Sequence, residues 1–261
     1  MKTNRLNELF KGGKERLLSI YYTAGFPALG DTAQIAKALE KAGADIIELG
    51  IPFSDPVADG PTIQKSNKIA LHNGMNLALL LEQVRELRKT VSLPIILMGY
   101  INPVMQYGIE RFAKDAAAAG VDGVILPDLP LAEYEGEYKS IFEKEGLSIS
   151  FLISPTTAPE RISKIDGLSS TFIYAVSASS TTGAKEGFSK EQVEYFVRLK
   201  NAKLKSPIMI GFGISDKSTF KQATDHAAGA IVGSAFIDLL SRSKNLDADI
   251  QQFVATIRDQ A

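Results

Sequence analysis

Residues 31–50 read DTAQIAKALEKAGADIIELG, and this stretch decides the fold. Its first part, DTAQIAKALEKAG, spaces apolar residues as an amphipathic helix does, with Asp31 as the expected N-cap and Gly43 as the stop. Its second part, ADIIELG (44–50), is short and apolar on both faces, as a strand covered on both sides of a parallel sheet should be. The same alternation runs through the chain. Further strand-like runs are LLSIYYTAG (17–25), PIILMGY (94–100), DGVILPD (122–128), LSISFLIS (147–154), TFIYAVS (171–177), PIMIGFG (207–213) and AAGAIVGSA (227–235), eight in all. Helix-like segments separate them: IERFAKDAAAAG, SKEQVEYFVRLKNA with a capping box of Ser189 and Gln192, and SDKSTFKQATDHAAG with a less clean start.

Eight β–α alternations within 261 residues read as one α/β domain, 1–261, folded as a (β/α)8 TIM barrel. An open doubly wound sheet is the alternative, although it more often breaks its pattern into two halves. Residues 1–12 add an amphipathic helix before the first strand, placed to cover the barrel bottom. SNKIALHNGMNLALLLEQVRELRKT supplies extra helix after strand 2, and the segment after strand 8 supplies more.

Composition narrows the function. The 29 basic and 30 acidic residues give a net charge of −1, without the basic surplus of an electrostatic nucleic-acid binder. There is no cysteine, which removes disulfides, thiolate nucleophiles and cysteine-bound metal, and fits a reducing compartment. No run of 18 apolar residues occurs and the first residues lack an apolar signal core, so the expectation is a soluble, cytoplasmic protein. His72 and His226 have no partners at metal-ligand spacing, and no metal site is expected.

Barrel chemistry sits at the C-terminal ends of the strands. Glu48 lies at that end of ADIIELG, and alternation sends it to the face opposite Ile47 and Leu49. Facing inward, its carboxyl group would be desolvated and hold a proton near neutral pH, as a general acid or base requires. The loop that follows, IPFSDPVADGP (51–61), carries Asp55 and Asp59 between prolines that stiffen it. Residue type alone leaves a plainer reading open: a strand-end acid is often a cap or salt-bridge partner, and Asp-Pro or Asp-Gly often only a turn.

Two glycine clusters close the last runs: Gly211 and Gly213, then Gly233 and Ser234 ahead of a helix start. Loops after barrel strands 7 and 8 commonly bind phosphate, because unpaired backbone N–H groups point at the anion and glycine lets it approach. The long polar loop SASSTTGAKEGFS (177–189) suits a lid, with Gly183 as a backbone donor; the alternative is that the glycines merely end strands. Tyr21, Tyr22, Tyr100 and Tyr174 lie in strand runs, as core or as flanks for an aromatic substrate.

Glu48-Leu-Gly-Ile-Pro-Phe-Ser-Asp-Pro-Val-Ala-Asp-Gly-Pro-Thr-Ile-Gln64, together with Gly211-Phe-Gly-Ile-Ser215 and Gly233-Ser234-Ala235, resembles the tryptophan synthase α-subunit family over nearly the whole chain. The resemblance implies a metal-free, cofactor-free retro-aldol lyase that cleaves indole-3-glycerol phosphate to indole and glyceraldehyde 3-phosphate. By position it implies Glu48 as general acid–base and Asp59 as the partner of the indole N–H. Tyr174 falls near the glycerol end, and Thr182 matches a lid threonine. Gly183, Gly211, Gly213, Gly233 and Ser234 match the phosphate site, and Tyr21, Met98, Ile125 and Phe212 the indole pocket.

The resemblance further implies a β-subunit partner in an αββα assembly. That partner would carry pyridoxal phosphate and receive indole through an internal tunnel. Pro52, Phe53, Asp55 and Pro56, with Asn102 and Pro103, match the docking side. Two departures concern lid closure and coupling to the partner: Gly25-Phe-Pro27 replaces a common Gly-Asp-Pro, and Ser177-Ala178-Ser179-Ser180 replaces an arginine before the lid glycine. Rival readings are another phosphosugar-binding barrel, which would often show a strand-end lysine absent here, and a silent scaffold, which would not need both carboxylates.

Overall fold

The computed structural model describes residues 4–57, 59–177 and 187–258. Its sheet holds nine parallel segments: β1 (Leu17–Thr23), β2 (Ile46–Gly50), β3 (Ile95–Met98), β4 (Gly123–Ile125), β5 (Ser148–Ile149), β6 (Leu152–Ile153), β7 (Ile173–Val176), β8 (Ile208–Gly211) and β9 (Gly229–Val232). They lie in the order β5-β4-β3-β2-β1-β9-β8-β7-β6. The first and last of that order are two halves of the single run LSISFLIS, so the sheet closes on itself as a (β/α)8 barrel. The residues between the halves complete the seam: the Ser150 N–H donates to Val124 O at 3.3 Å, and the Tyr174 N–H to Phe151 O at 2.9 Å.

The helices are α1 (Arg5–Lys11), α2 (Asp31–Ala42), α3 (Pro61–His72), α4 (Leu77–Leu87), α5 (Ile101–Tyr107), α6 (Ile109–Ala119), α7 (Leu131–Glu133), α8 (Lys139–Glu145), α9 (Pro159–Leu168), α10 (Lys190–Asn201), α11 (Lys217–Thr224), α12 (Ser234–Arg242) and α13 (Leu246–Arg258). The doubled helices after β2 and β9 match the sequence reading. Doubling also occurs after β3, where Gly108 at φ 94° separates α5 from α6, and after β4, where a π-turn over Tyr134–Tyr138 joins α7 to α8.

Two helix starts need correction by one residue. Gly30 is the N-cap of α2, not Asp31; Asp31 is the first helical residue and its carboxylate accepts the Ala28 N–H at 3.1 Å, turning the chain into the helix. For α11 the capping box belongs to Asp216 and Thr219, one residue past Ser215. The Ser189–Gln192 capping box of α10 is present as expected.

Alternation along the strands creates two apolar layers. Leu17, Ile46, Ile96, Phe172, Met209 and Ile231 point inward and fill the barrel. Their neighbours in sequence, such as Leu18, Ile47, Ile95 and Ile210, point outward against the helices. α1 plugs the bottom: Leu6 is 1% exposed within the inner cluster, and the Phe10 and Phe172 rings lie 5.6 Å apart.

The bottom face is also pinned by two buried aspartates in matching positions. After the glycine that ends α2, Asp45 stands at the entrance to β2 and accepts the Leu18 N–H of β1 at 2.8 Å. After the glycine that ends α6, Asp122 stands before β4 and accepts the Ile95 N–H of β3 at 2.9 Å. Asp45 is paired with Lys14 and Arg258, Asp122 with Arg5 and Arg88. Both carboxylates thus have the hydrogen bonds that a buried charge requires.

Candidate active site at the C-terminal mouth

Glu48 is fully buried on β2, beside Tyr21 of β1 in the strand register. It points inward, as alternation from Ile46 demands. Its Oε1 accepts the Ser19 hydroxyl at 2.7 Å, and its Oε2 has no hydrogen-bond partner among the described residues. Desolvation pushes the carboxyl group up to about 7, against a smaller lowering by the Ser19 hydroxyl. A neutral carboxyl is the cheaper form in an apolar setting, and a group poised near 7 can give and take a proton at working pH. The cap or salt-bridge reading of Glu48 has no support, since no cation lies among the causes of its shift.

Asp59 enters from the loop. Gly60 caps α3 and Pro61 opens it, where a missing N–H costs nothing. Gln64, one turn into the helix, donates to the Asp59 carbonyl at 2.8 Å and fixes the residue just ahead of the helix. The Asp59 carboxylate accepts the Tyr100 hydroxyl at 3.0 Å; burial raises its pKa and this hydrogen bond opposes the rise. Tyr21, Ile51, Asp59, Asn67, Met98 and Tyr100 enclose one cavity. Tyr21 and Tyr174 sit within electrostatic range of both Glu48 and Asp59, so the two carboxyl groups share a single aromatic-walled space. Asp55 by contrast is exposed and bonded to Ser54.

The glycine clusters lie against these tyrosines. A Cβ at Gly211 would fall 2.2 Å from the Tyr174 hydroxyl, and one at Gly50 would fall 2.4 Å from that of Tyr21. Only glycine allows the rings to lie so close to the sheet. Phe212 adopts φ 68°, a conformation that costs a bulky side chain about 1–3 kcal/mol, and the Ser177 hydroxyl donates to its carbonyl at 2.8 Å. The Phe212 ring stands edge-on to Tyr174, with centroids 6.4 Å apart. Gly233 precedes α12, whose N-terminus carries no side-chain cap, and Ser234 is its exposed first residue. Gly213 lies beside Ser177 and Phe188.

Of the other expected residues, Met98 is half-buried at the mouth, while Ile125 is fully buried in the inner layer. Thr182 and Gly183 lie outside the described residues. On the expected docking side Pro52 is buried, Phe53 stacks on Tyr100 at 5.4 Å, and Asp55 and Asn102 are exposed, with Pro56 and Pro103 half-buried. The sequence reading missed Ser19 and Ser177 as partners of the site, because a serine inside an apolar run carries no local signal.

A larger cleft of about 450 Å³ lies at the opposite end, lined by Arg5, Glu8, Lys14, Asp45 and Ser92. Arg5, Lys14 and Asp45 are engaged in the pins already described, Glu8 pairs with Lys11, and the cleft borders none of the mouth residues. Among the described residues no group of three or more His, Asp or Glu is placed to hold a metal, and no helix is long and apolar enough to cross a membrane.

A closed (β/α)8 barrel with a buried carboxyl group raised to about 7 on β2 and a second carboxylate delivered by the next loop has the frame of a barrel enzyme. The sequence model described as "Tryptophan synthase alpha chain" matches residues 8–260. The chain belongs to that family, whose members are enzymes of tryptophan biosynthesis. It is 53% identical to the tryptophan synthase alpha chain of Flavobacterium johnsoniae over 255 residues, covering 98% of this chain and 100% of that one. Among solved structures it resembles the alpha chain from Legionella pneumophila, with a TM-score of 0.88, 36% identity, and coverage of 98% and 97% of the two chains. It also resembles a chain of the tryptophan synthase complex from Pyrococcus furiosus, with a TM-score of 0.84, 34% identity, and coverage of 94% and 99%.

Proposed function

We propose that this chain, acting as one domain over 1–261, cleaves indole-3-glycerol phosphate to indole and glyceraldehyde 3-phosphate. The observation that carries the reading is Glu48: fully buried at a strand end, its carboxyl group poised near 7, with one oxygen unengaged. Indole is a poor leaving carbon until its ring is protonated. Protonated Glu48 gives its proton to the ring carbon that bears the side chain, and the ring nitrogen takes up the positive charge. The carbon–carbon bond breaks and its electron pair neutralises the ring. The glycerol hydroxyl becomes the aldehyde carbonyl and returns its proton to Glu48, so the enzyme ends as it began.

Asp59 accepts the indole N–H and compensates the cation, a charge that exists only along the reaction path. The phosphate lies at Gly211, Gly213, Gly233 and Ser234 with Gly183, supported by the uncapped N-terminus of α12. Tyr174 meets the glycerol portion, and Thr182 serves the lid. Tyr21, Met98, Ile125 and Phe212 wall the ring. The cavity at Asp59 encloses only about 10 Å³, so a bicyclic ring enters when its walls move apart.

The reaction needs no cofactor on this chain; pyridoxal phosphate belongs to a β-subunit partner that consumes the indole in an αββα assembly in the cytoplasm. The name of the Pyrococcus complex supports such a partner. So do Val57 and Met105, large apolar side chains 84% and 55% exposed beside the expected docking residues Pro52, Phe53, Asp55, Pro56, Asn102 and Pro103.

Indole release from indole-3-glycerol phosphate by the purified chain, with and without a β subunit, tests the reading; no release under either condition sinks it. Asp59→Asn keeps the size but loses the charge, and kcat is expected to fall about 10²-fold, the scale of one electrostatic stabiliser. A near-native rate in steady-state assays would remove Asp59 from the mechanism.

A further inference from the structure

We propose that Ser19 is the positioning residue of the acid–base glutamate: its hydroxyl holds Glu48 Oε1 and thereby commits Oε2 as the oxygen that exchanges the proton. The inference rests on the role proposed for Glu48 and adds to it a residue that neither the glycine clusters nor the loop motif contains.

The geometry follows from strand register. Ser19 pairs with Ile46 and Tyr21 with Glu48, and residues two apart on a strand share a face. Ser19 therefore sits one layer below Glu48 in the barrel interior, between the packed core and the mouth. Both residues are 0% exposed, so water does not substitute for either partner. The 2.7 Å bond reaches upward across the layer to Oε1, while Oε2 is left without a partner among the described residues. A glutamate side chain has three torsions free to turn, and a single fixed bond to one carboxylate oxygen removes most of that freedom. The hydroxyl donates to the carboxylate and, less strongly, to the carbonyl oxygen of the neutral acid, so the proton resides on Oε2 in the acid form. Substrate is thus met by the same oxygen before and after transfer.

Ser19 also sets how tightly that proton is held. The ionisable groups facing Glu48 are Tyr21 on β1 and Tyr174 on β7, both kept neutral by burial, with Asp59 beyond them. The Ser19 bond is the one influence that lowers the Glu48 pKa against desolvation. Loss of the hydroxyl therefore moves the titration upward.

The test compares full-length wild type, S19A and S19C, the last close in size but a weak donor. In each, the Glu48 carboxyl is titrated by ¹³C NMR, with E48Q identifying its signal, and kcat and KM for indole-3-glycerol phosphate are followed against pH. The expected result for S19A is an upward shift of the titration and of the matching limb of the rate profile by about one pH unit. A fall in kcat of about tenfold should accompany it, with KM changed less than about twofold, and S19C should lie between. Ser19→Thr, which keeps the hydroxyl, should restore the wild-type limb. An unmoved titration and profile in both S19A and S19C overturns the inference. A titration that moves while the rate limb stays put upholds the Ser19 contact and overturns the acid–base role of Glu48.

Discussion

Glu48→Gln is expected to lower the cleavage of indole-3-glycerol phosphate by about 10²–10⁴-fold, towards the upper end of that range because one group both gives and recovers the proton. Substrate binding should persist, since the amide keeps the shape and the groups proposed to hold phosphate are backbone N–H donors remote from β2. Steady-state kinetics and equilibrium binding of substrate measure the two separately. A variant that turns over at near-native rate would end the assignment. The same substitution has a signature in stability. The folded protein holds the Glu48 proton up to about pH 7, whereas the unfolded chain releases it near 4.5. Between these values the native state binds more protons, so wild-type stability falls as pH rises through the window. The loss is on the order of 3 kcal/mol and is complete above about pH 7. Glutamine does not titrate. The stability of E48Q relative to wild type should therefore climb from pH 4.5 to 7 in urea unfolding. A flat difference would place the Glu48 carboxyl in water.

Asp122→Ala should be the most damaging single change to the fold among the contacts described. Asp122 is 3% exposed, and its carboxylate accepts from the Ile95 backbone and from the guanidinium groups of Arg5 and Arg88. Arg88 is itself only 9% exposed, and burial draws its pKa down to about 10 despite the neighbouring carboxylate. Removing the anion strands a buried cation and the amide that opens β3. Breaking such a pair costs about 3–5 kcal/mol. The lower figure is expected because Arg88 retains the Gly120, Val91 and Leu93 carbonyls. For a chain of this length that is a drop in Tm of about 6–12 °C. Thermal unfolding checks it; a Tm within about 2 °C of wild type would show that the pin is redundant. Arg5 lies in solvent at its outer end and adds little to this figure.

Strands apolar on both faces made a covered parallel sheet legible in the sequence, and the unbroken count of eight β–α alternations favoured the barrel over an open sheet. It could not show where the fifth strand divides. Ser150 and Phe151 pair with opposite neighbours, and that choice depends on how the ring closes. The proline setting marked Asp55 and Asp59 alike, and only the family resemblance singled out Asp59; the inward face of Glu48 was legible from alternation. Ser19 was not, since its meaning depends on the register of β1 against β2 rather than on its own neighbours. Phe212 was expected in the pocket, but its left-handed backbone was hidden for a related reason: its carbonyl is bonded by Ser177, 35 positions away.

The pin at Asp45 has a consequence for the topology of the polypeptide. Lys14, just ahead of the first strand, and Arg258, at the finish of the last helix, grip the same carboxylate, and Arg258 also donates to the Arg16 carbonyl. The first and eighth units therefore meet across a stitched seam much like any other pair of neighbours.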